Sequence, residues 1–130
     1  MEDAEVFFGK DAYARHTGIE LLEIGPGTAR VRMEIREMHE NSHGTVHGGA
    51  IYTLADAAFA LASNSHGIPA AAINASISYM KSARGGSLYA EAREFALNPK
   101  LATYTVEVTN GDGEKIAIFQ GMVYRKSPRR

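Results

Sequence analysis

Alternating apolar and polar side chains mark the first predicted strands of the chain. Between residues 29 and 35 every second side chain is apolar, as at Val31 and Met33, and those between are mostly charged. An apolar run at residues 19–24 precedes them, and Gly, Pro and Gly fill residues 25–27. A period of two on either side of such a turn predicts a half-buried β-hairpin.

The second half of the chain carries four more strand-like runs. Tyr104, Val106 and Val108 alternate with polar residues, and Asn-Gly-Asp-Gly at residues 110–113 is a strong turn signal. The predicted strands cover residues 71–81, 87–97, 101–109 and 116–124.

An Ala- and Leu-rich segment between these groups predicts one long helix, from Gly48 and Gly49 to Ser63 or Asn64. On a helical wheel of about 100° per residue, Asp56 lies near the middle of a polar sector, and the remaining surface is small and apolar. The helix is therefore expected to be mostly enclosed by a sheet. The order β-β-α-β-β-β-β predicts an α+β fold with an antiparallel sheet.

The remaining segments carry weaker signals. Residues 4–15 predict a short helix or an irregular lead-in, residues 36–46 read as polar and irregular, and residues 126–130 form a basic tail. Residues 1–130 are interpreted as a single domain, with residues 1–15 as its lead-in. Because neither a secretory leader nor a run of about 18 apolar residues occurs, we expect a cytoplasmic protein that does not enter a membrane.

Composition narrows the function. Fourteen Lys and Arg residues against fifteen Asp and Glu residues leave a net charge of -1, so we expect no nucleic-acid partner. The absence of Cys excludes disulfides, thiolate metal sites and a Cys nucleophile. The chain also lacks a phosphate-binding loop and a Gly-x-Ser-x-Gly elbow, which disfavours nucleotide hydrolysis and Ser-triad chemistry.

The candidate chemistry lies around the start of the long helix. Backbone amides at Gly48 and Gly49, next to His47, can hold an oxyanion at the positive end of the helix dipole. Asp56, two turns further on, can supply the base or nucleophile that attack on a carbonyl requires. Structural alternatives stay open: the glycines could only permit a tight entry into the helix, and Asp56 could bond nearby hydroxyls or cap a loop.

Two other groups of residues are open to a chemical interpretation. His39, His43 and His47 recur every four residues, but poor helix formers separate them, so we expect no metal site. Lys81 and Arg84 follow one another closely and could grip phosphates or form part of a solvated face.

The sequence N-x(5)-H-G-G-x(6)-D, formed by Asn41, His47, Gly48, Gly49 and Asp56, resembles the PaaI-like hotdog-fold acyl-CoA thioesterases of phenylacetate degradation. The resemblance extends over most of the chain. It implies a hotdog fold, in which an antiparallel sheet wraps one long central helix, and hydrolysis of acyl-CoA thioesters. It implies no cofactor, because coenzyme A arrives as part of the substrate.

The resemblance also implies a role for each motif residue. Asp56 would act as general base or nucleophile, and the Gly48 amide would polarise the thioester carbonyl. Asn41 and His47 of the facing subunit would position water or the thioester, so that each site is shared across a homodimer. Such dimers join their sheets through the strand after the helix and commonly pair into homotetramers.

The implied acyl pocket could hold an aryl group such as phenylacetyl, or a medium-chain acyl group. The residues expected near the acyl group or the CoA phosphates are Gly49, Tyr52, Phe59, Ala60, Asn74, Met80, Lys81 and Arg84. Asn74 or Ser76 would replace a water-orienting Ser of some relatives. Two alternatives remain: an enoyl-CoA hydratase or dehydratase with His47 as base, and a non-catalytic module that binds acyl-CoA.

Overall fold

The computed structural model describes residues 4–126, and the basic tail at residues 127–130 lies outside them. The helices are α1 (Ala4–Gly9), α2 (Ala12–Thr17) and α3 (Gly48–Ser63), with a 3-10 turn at Glu37–His39. The strands are β1 (Ile19–Gly25), β2 (Thr28–Glu34), β3 (Ala70–Tyr79), β4 (Ser87–Leu97), β5 (Leu101–Asn110) and β6 (Lys115–Arg125). The predicted order of strands and long helix is confirmed, with bounds that differ by a few residues.

The six strands form one antiparallel sheet in the order β1-β2-β4-β5-β6-β3. Alternate residues of the central strands, such as Val106, Val108 and Phe119, are fully buried. Small apolar residues of α3, including Ala55 and Ala58, are buried against this face. The sheet therefore wraps the helix, as the α+β prediction requires, and β3 and β1 form its edges.

Phe59 belongs to this core. It is 1% exposed, and its ring lies 5.9 Å from Tyr104 and 5.4 Å from Phe119. Gly121 makes room for the ring, because a Cβ there would lie 2.6 Å from Phe59 Cζ. The structure thus contradicts the prediction that Phe59 contacts substrate, because its side chain packs between α3 and β6.

The segments before the strands and before α3 are more ordered than predicted. The lead-in is two helices rather than one, and Asp11 caps the second by accepting a hydrogen bond from the Ala14 amide (3.0 Å). The stretch at residues 36–46 holds the 3-10 turn and a short hairpin closed by a bridge between Glu40 and Val46. The prediction of an irregular segment there is wrong, because local hydrogen bonds fix its backbone.

His39 anchors that segment. It is 2% exposed, its Nδ1 accepts the Arg36 amide at 2.8 Å, and its Nε2 lies 2.6 Å from the Thr17 carbonyl oxygen. Its own carbonyl oxygen accepts the His47 amide at 2.7 Å. The side chain and backbone of His39 therefore tie the end of α2 to the start of α3.

Within residues 4–126, no helix is both long and apolar enough to cross a membrane.

Candidate active site

His47 begins α3 as its N-cap. The residue has extended backbone (φ -62, ψ 135), and its Nδ1 accepts the Gly49 amide at 2.8 Å. Because Nδ1 accepts this hydrogen bond, the ring carries its proton on Nε2. The side chain is exposed, so Nε2–H is available as a donor at the mouth of the helix.

The Gly48 amide is left free by this cap. It is the first residue of α3, and it makes no hydrogen bond to an acceptor within residues 4–126. The Tyr79 hydroxyl donates to the Gly48 carbonyl oxygen at 2.8 Å, and a Cβ on Gly48 would lie 3.2 Å from Tyr79 Cζ. A free amide at a helix N-terminus is suited to bind a developing oxyanion.

Asn41 organises the loop that precedes the cap. Its Oδ1 accepts the amides of His43 (2.8 Å) and Thr45 (3.2 Å), and its Nδ2 donates to the Thr45 hydroxyl (2.9 Å). An Asn side chain has two N–H donors, so one remains for a ligand. Asn41 therefore serves first as a turn-forming residue, and its predicted contact with water or thioester depends on that second hydrogen.

A cleft of about 320 Å³ opens beside the free amide. Its lining residues are Asn41, Thr45, Val46, Gly48, Ile51, Tyr79, Met80, Lys81 and Ser82. The structure thus brings together the predicted Asn41, Gly48, Met80 and Lys81, with His47 at the adjacent cap. Sequence reasoning missed Tyr79, although Tyr79 lies two residues after Ile77 on the side of β3 that faces the helix.

Asp56 lies elsewhere on α3 and is partly buried. Burial, and next the carboxylate of Asp11, raise the pKa of Asp56 above its ordinary value. No hydrogen-bond donor within residues 4–126 contacts its carboxylate. The structural alternative, in which Asp56 bonds hydroxyls or caps a loop, is therefore absent from the described part of the chain, and the group is a partly desolvated base.

The distance between the carboxylate and the free amide decides how they can act. Eight residues separate Gly48 from Asp56, which corresponds to about 12 Å along the helix axis. That separation exceeds the reach of two groups that act on one carbonyl carbon and its oxygen. Within one protomer Gly48 therefore lies at the start of α3 and Asp56 near its middle, and Asp56 does not line the cleft.

The other predicted residues fall into three settings. Tyr52 lies on α3 one turn before Asp56, and burial followed by the Asp56 carboxylate raises its pKa. Lys81 pairs with Glu114 at the cleft rim, whereas Arg84 donates to the Gly44 carbonyl oxygen at 3.4 Å. Of these three residues, Lys81 lines the cleft, whereas Tyr52 and Arg84 do not.

Asn74 is not brought to this site. It pairs in register with Met122, and Ser76 pairs with Gln120. Phe119 faces α3. Because side chains alternate along a strand, Gln120 and Met122 point to the other face, and their partners Asn74 and Ser76 lie on that face too. Neither therefore takes the predicted water-orienting position beside α3. The exposed Gly49 contributes its amide to the His47 cap instead of a free donor.

The regularly spaced His39, His43 and His47 do not form a shared site either. Both ring nitrogens of His39 are engaged in the core, and His43 and His47 are exposed on the loop and the cap. In the part of the chain from residue 4 to residue 126, no three His, Asp or Glu side chains converge to hold a metal.

Comparison with known proteins shows the family and the fold. Residues 43–117 match the thioesterase superfamily. A relative from Archaeoglobus fulgidus is 51% identical over 106 residues, which cover 81% of this chain and 69% of its own. Acyl-coenzyme A thioesterase PaaI of Escherichia coli is 31% identical over 95% of this chain and 89% of its own.

Solved structures show the same likeness. A mutant of the phenylacetic acid degradation protein PaaI from Thermus thermophilus superimposes with a TM-score of 0.84 at 42% identity, covering 88% of this chain and 98% of that one. The E. coli PaaI structure gives a TM-score of 0.92 at 31% identity over 95% of this chain and 91% of that one.

A sheet wrapped around one long helix is the hotdog fold, and the family match and structure neighbours identify it as a hotdog thioesterase domain. The chain belongs to the thioesterase superfamily and, within it, to the PaaI-like acyl-CoA thioesterases. The predicted family and hotdog fold are confirmed.

Proposed function

We propose that this protein hydrolyses the thioester bond of an acyl-CoA, releasing a free acid and coenzyme A. The observation that carries the proposal is the free Gly48 amide at the N-terminus of α3, in a fold whose same helix bears a partly desolvated carboxylate at Asp56. Names of relatives support the substrate class, because PaaI of E. coli and relatives from three mammals are called acyl-coenzyme A thioesterases.

The two groups would act together across a pair of protomers. Gly48 of one protomer binds the carbonyl oxygen of the thioester as it becomes negative. Asp56 of the other protomer removes a proton from an attacking water, or attacks the carbonyl carbon itself. The carbon–sulfur bond then breaks, and the thiolate leaves as coenzyme A. When water is the nucleophile the acid forms in this step; when Asp56 is the nucleophile, a water then hydrolyses the acyl–Asp56 anhydride, which releases the acid and restores the carboxylate. No cofactor takes part, since coenzyme A enters only with the substrate.

His47 and Asn41 would complete the site beside Gly48. The Nε2–H of His47 and the second Nδ2 hydrogen of Asn41 are donors that can orient water or the carbonyl. Lys81 at the cleft rim would exchange its exposed partner Glu114 for a CoA phosphate at small cost, because surface ion pairs contribute only about 0–1 kcal/mol. Tyr52 and Met80 would flank the acyl group.

Pairing of two copies through β3 would assemble this site. The strand has ten residues without a charged side chain, and most of them are exposed at the edge of the sheet. Edge strands are normally protected by charge, Pro or a covering element. A homodimer in which two β3 strands pair would cover this edge, and further pairing into a tetramer is the arrangement that the resemblance implies.

Two substitutions at one position test the role of the Gly48 amide. Both Gly48→Ala and Gly48→Pro add a Cβ that presses against Tyr79, but only Pro removes the N–H. Pro is tolerated at the first position of a helix, and the extended backbone of His47 is the conformation that precedes Pro. Thiol release from acyl-CoA should therefore fall about 10²–10³-fold more in Gly48→Pro than in Gly48→Ala.

Equal rates in the two variants would overturn the role of the amide. If the wild-type protein released no thiol from any acyl-CoA while consuming the enoyl absorbance of an enoyl-CoA, the chain would be a hydratase. Tight acyl-CoA binding without turnover would make it a binding module. Circular dichroism of both variants checks that the fold is retained.

A further inference from the structure

A second cavity lies at the opposite end of α3 from the cleft. It has a volume of about 480 Å³. Its lining residues are Ala4, Phe7, Ile24, Gly25, Pro26, Leu61, Asn64, Ser65, Gly67, Ile68 and Pro69. We call this space the distal cavity. No charged side chain lines it, and its size is in the range of small-molecule sites.

The two polar side chains in its wall are already satisfied. Asn64 donates to the Ala60 carbonyl oxygen (2.9 Å) and accepts the Ala70 amide (2.9 Å). The Ser65 hydroxyl donates to the Ala62 carbonyl oxygen (2.7 Å) and accepts the Gly27 amide (2.8 Å). The side chains of the distal cavity therefore offer no free donor or acceptor, and the matching ligand is an apolar group.

One face of α3 leads from Asp56 to this cavity. Asp56, Ala60 and Asn64 follow each other at four-residue spacing, so they lie on the same side of the helix. All three are only partly buried, whereas Ala57, Ala58 and other positions of the helix are enclosed. Ala60 has the smallest side chain of the three, so an acyl chain that lay along this side of α3 would meet only a methyl group between Asp56 and Asn64. We call this path the passage.

The length of the passage sets the size of the ligand. Asp56 and Asn64 are eight residues apart, which is about 12 Å along the axis. A fully extended chain advances about 1.2 Å per bond, since a residue with three backbone bonds spans at most about 3.6 Å. An acyl group held by its carbonyl at Asp56 therefore reaches the distal cavity with roughly ten carbons.

We propose that the distal cavity holds the end of a straight-chain acyl group of roughly eight to twelve carbons, whose thioester lies at Asp56 and whose chain passes over Ala60. This inference rests on the proposed thioesterase function and names the substrate class of that site. A phenylacetyl group would end near Ala60 and leave the distal cavity without a ligand.

The test measures kcat/KM for thiol release along a series of straight-chain acyl-CoA substrates from acetyl to dodecanoyl, with phenylacetyl-CoA alongside. Each buried methylene should raise kcat/KM by about two- to fourfold, up to roughly ten carbons. Ala60→Phe should block the passage and lower the ratio of kcat/KM with decanoyl-CoA to kcat/KM with acetyl-CoA by about tenfold or more. Ile68→Trp should fill the cavity and move the optimum to shorter chains.

Ala96→Phe is the matched control, because Ala96 is exposed on β4 and does not line the distal cavity, and the profile should not change. A flat wild-type profile, a preference for phenylacetyl-CoA, or profiles unaffected by Ala60→Phe and Ile68→Trp would overturn the inference and leave the thioesterase function standing. If no thioester of any length were hydrolysed, the proposed function would fall, and this inference with it.

Discussion

At the scale of single residues, Asp56 combines two properties that rarely occur together. It carries an ionisable group on a helix whose other faces are packed into the core, and no donor within residues 4–126 compensates its charge. Burial of an uncompensated carboxylate lowers the stability of the fold. A residue that lowers the stability of the fold and has no structural partner is typical of a functional site.

Replacing Asp56 by Asn should therefore stabilise the fold while removing activity. The folded protein holds the pKa of Asp56 above its ordinary value of 3.8. Between pH 3.8 and that raised pKa, the folded state binds more protons than the unfolded state. The free energy of unfolding therefore falls as pH rises through this window, and the loss persists at higher pH. The Asn variant avoids the loss. Urea unfolding should show it more stable than wild type at pH 7 and equal below about pH 3.8.

The same variant should lower thiol release by about 10²–10⁴-fold, because the proton acceptor is gone. In the wild-type protein, turnover should fall as pH decreases through the raised pKa of Asp56. Asp112→Asn, an exposed acid in the β5–β6 turn, is the control and should change neither quantity. A less stable Asp56→Asn at pH 7 would show that the carboxylate has a structural role.

At the scale of elements, one buried side chain joins the lead-in helices to α3. The His39 ring accepts a hydrogen bond from the Arg36 amide and contacts the Thr17 carbonyl oxygen. The His39 carbonyl oxygen accepts a hydrogen bond from the His47 amide. The cap of α3 and the end of α2 are thereby fixed to one point. The position of the free Gly48 amide depends on this junction, although His39 itself lies in the core.

Removing the imidazole should loosen both elements. His39→Ala leaves the Arg36 amide and the Thr17 carbonyl without partners, and an unsatisfied buried group costs about 1–3 kcal/mol. We expect the free energy of unfolding to fall by about 2–4 kcal/mol, measured by urea denaturation. His43→Ala, on the exposed part of the same loop, is the matched control. An equal loss in both variants would mean that His39 has no special anchoring role.

Sequence patterns predicted the elements better than the site. Period-two alternation locates strands because each strand has one buried face, and the Ala-rich run locates α3 because only small residues fit beneath a wrapped sheet. The loop around Asn41 was predicted as irregular, since its order comes from side chain to backbone bonds that leave no periodic trace.

Contacts between elements explain the remaining errors. Phe59 and Asn74 were both assigned to substrate, and both assignments depended on which residue faces which across β3, β6 and α3. The close fit of Phe59 over Gly121 and the register of Asn74 with Met122 are set by strand pairing. A single sequence does not specify that register, because moving a strand by one residue exchanges its two faces.

At the scale of the whole molecule, the two edges of the sheet differ in a way that bears on assembly. The β1 edge carries Glu20 and Glu23, together with a register shift between Leu21 and Glu23. The β3 edge is uncharged, and Ile73 on it is 58% exposed. Because β3 has a register shift as well, between Ala72 and Asn74, charge is what distinguishes the two edges. Charges block pairing between edges, whereas an uncharged edge favours it. Self-association is therefore expected at β3, which adjoins Tyr79 and the cleft.

Shared active sites predict that two inactive variants restore each other. Asp56→Asn and Gly48→Pro, carrying different affinity tags, should each be nearly inactive when pure. In a mixed dimer one site receives both changes and the other receives neither, so random pairing should return about one quarter of the wild-type thiol release. Dimers purified through both tags should reach about one half. A mixture of Asp56→Asn with Asp56→Ala, in which every site is damaged, should stay inactive. If the doubly tagged dimers also stayed inactive, each protomer would have to bring Asp56 and Gly48 to the same thioester by itself, across the roughly 12 Å that separates them along α3.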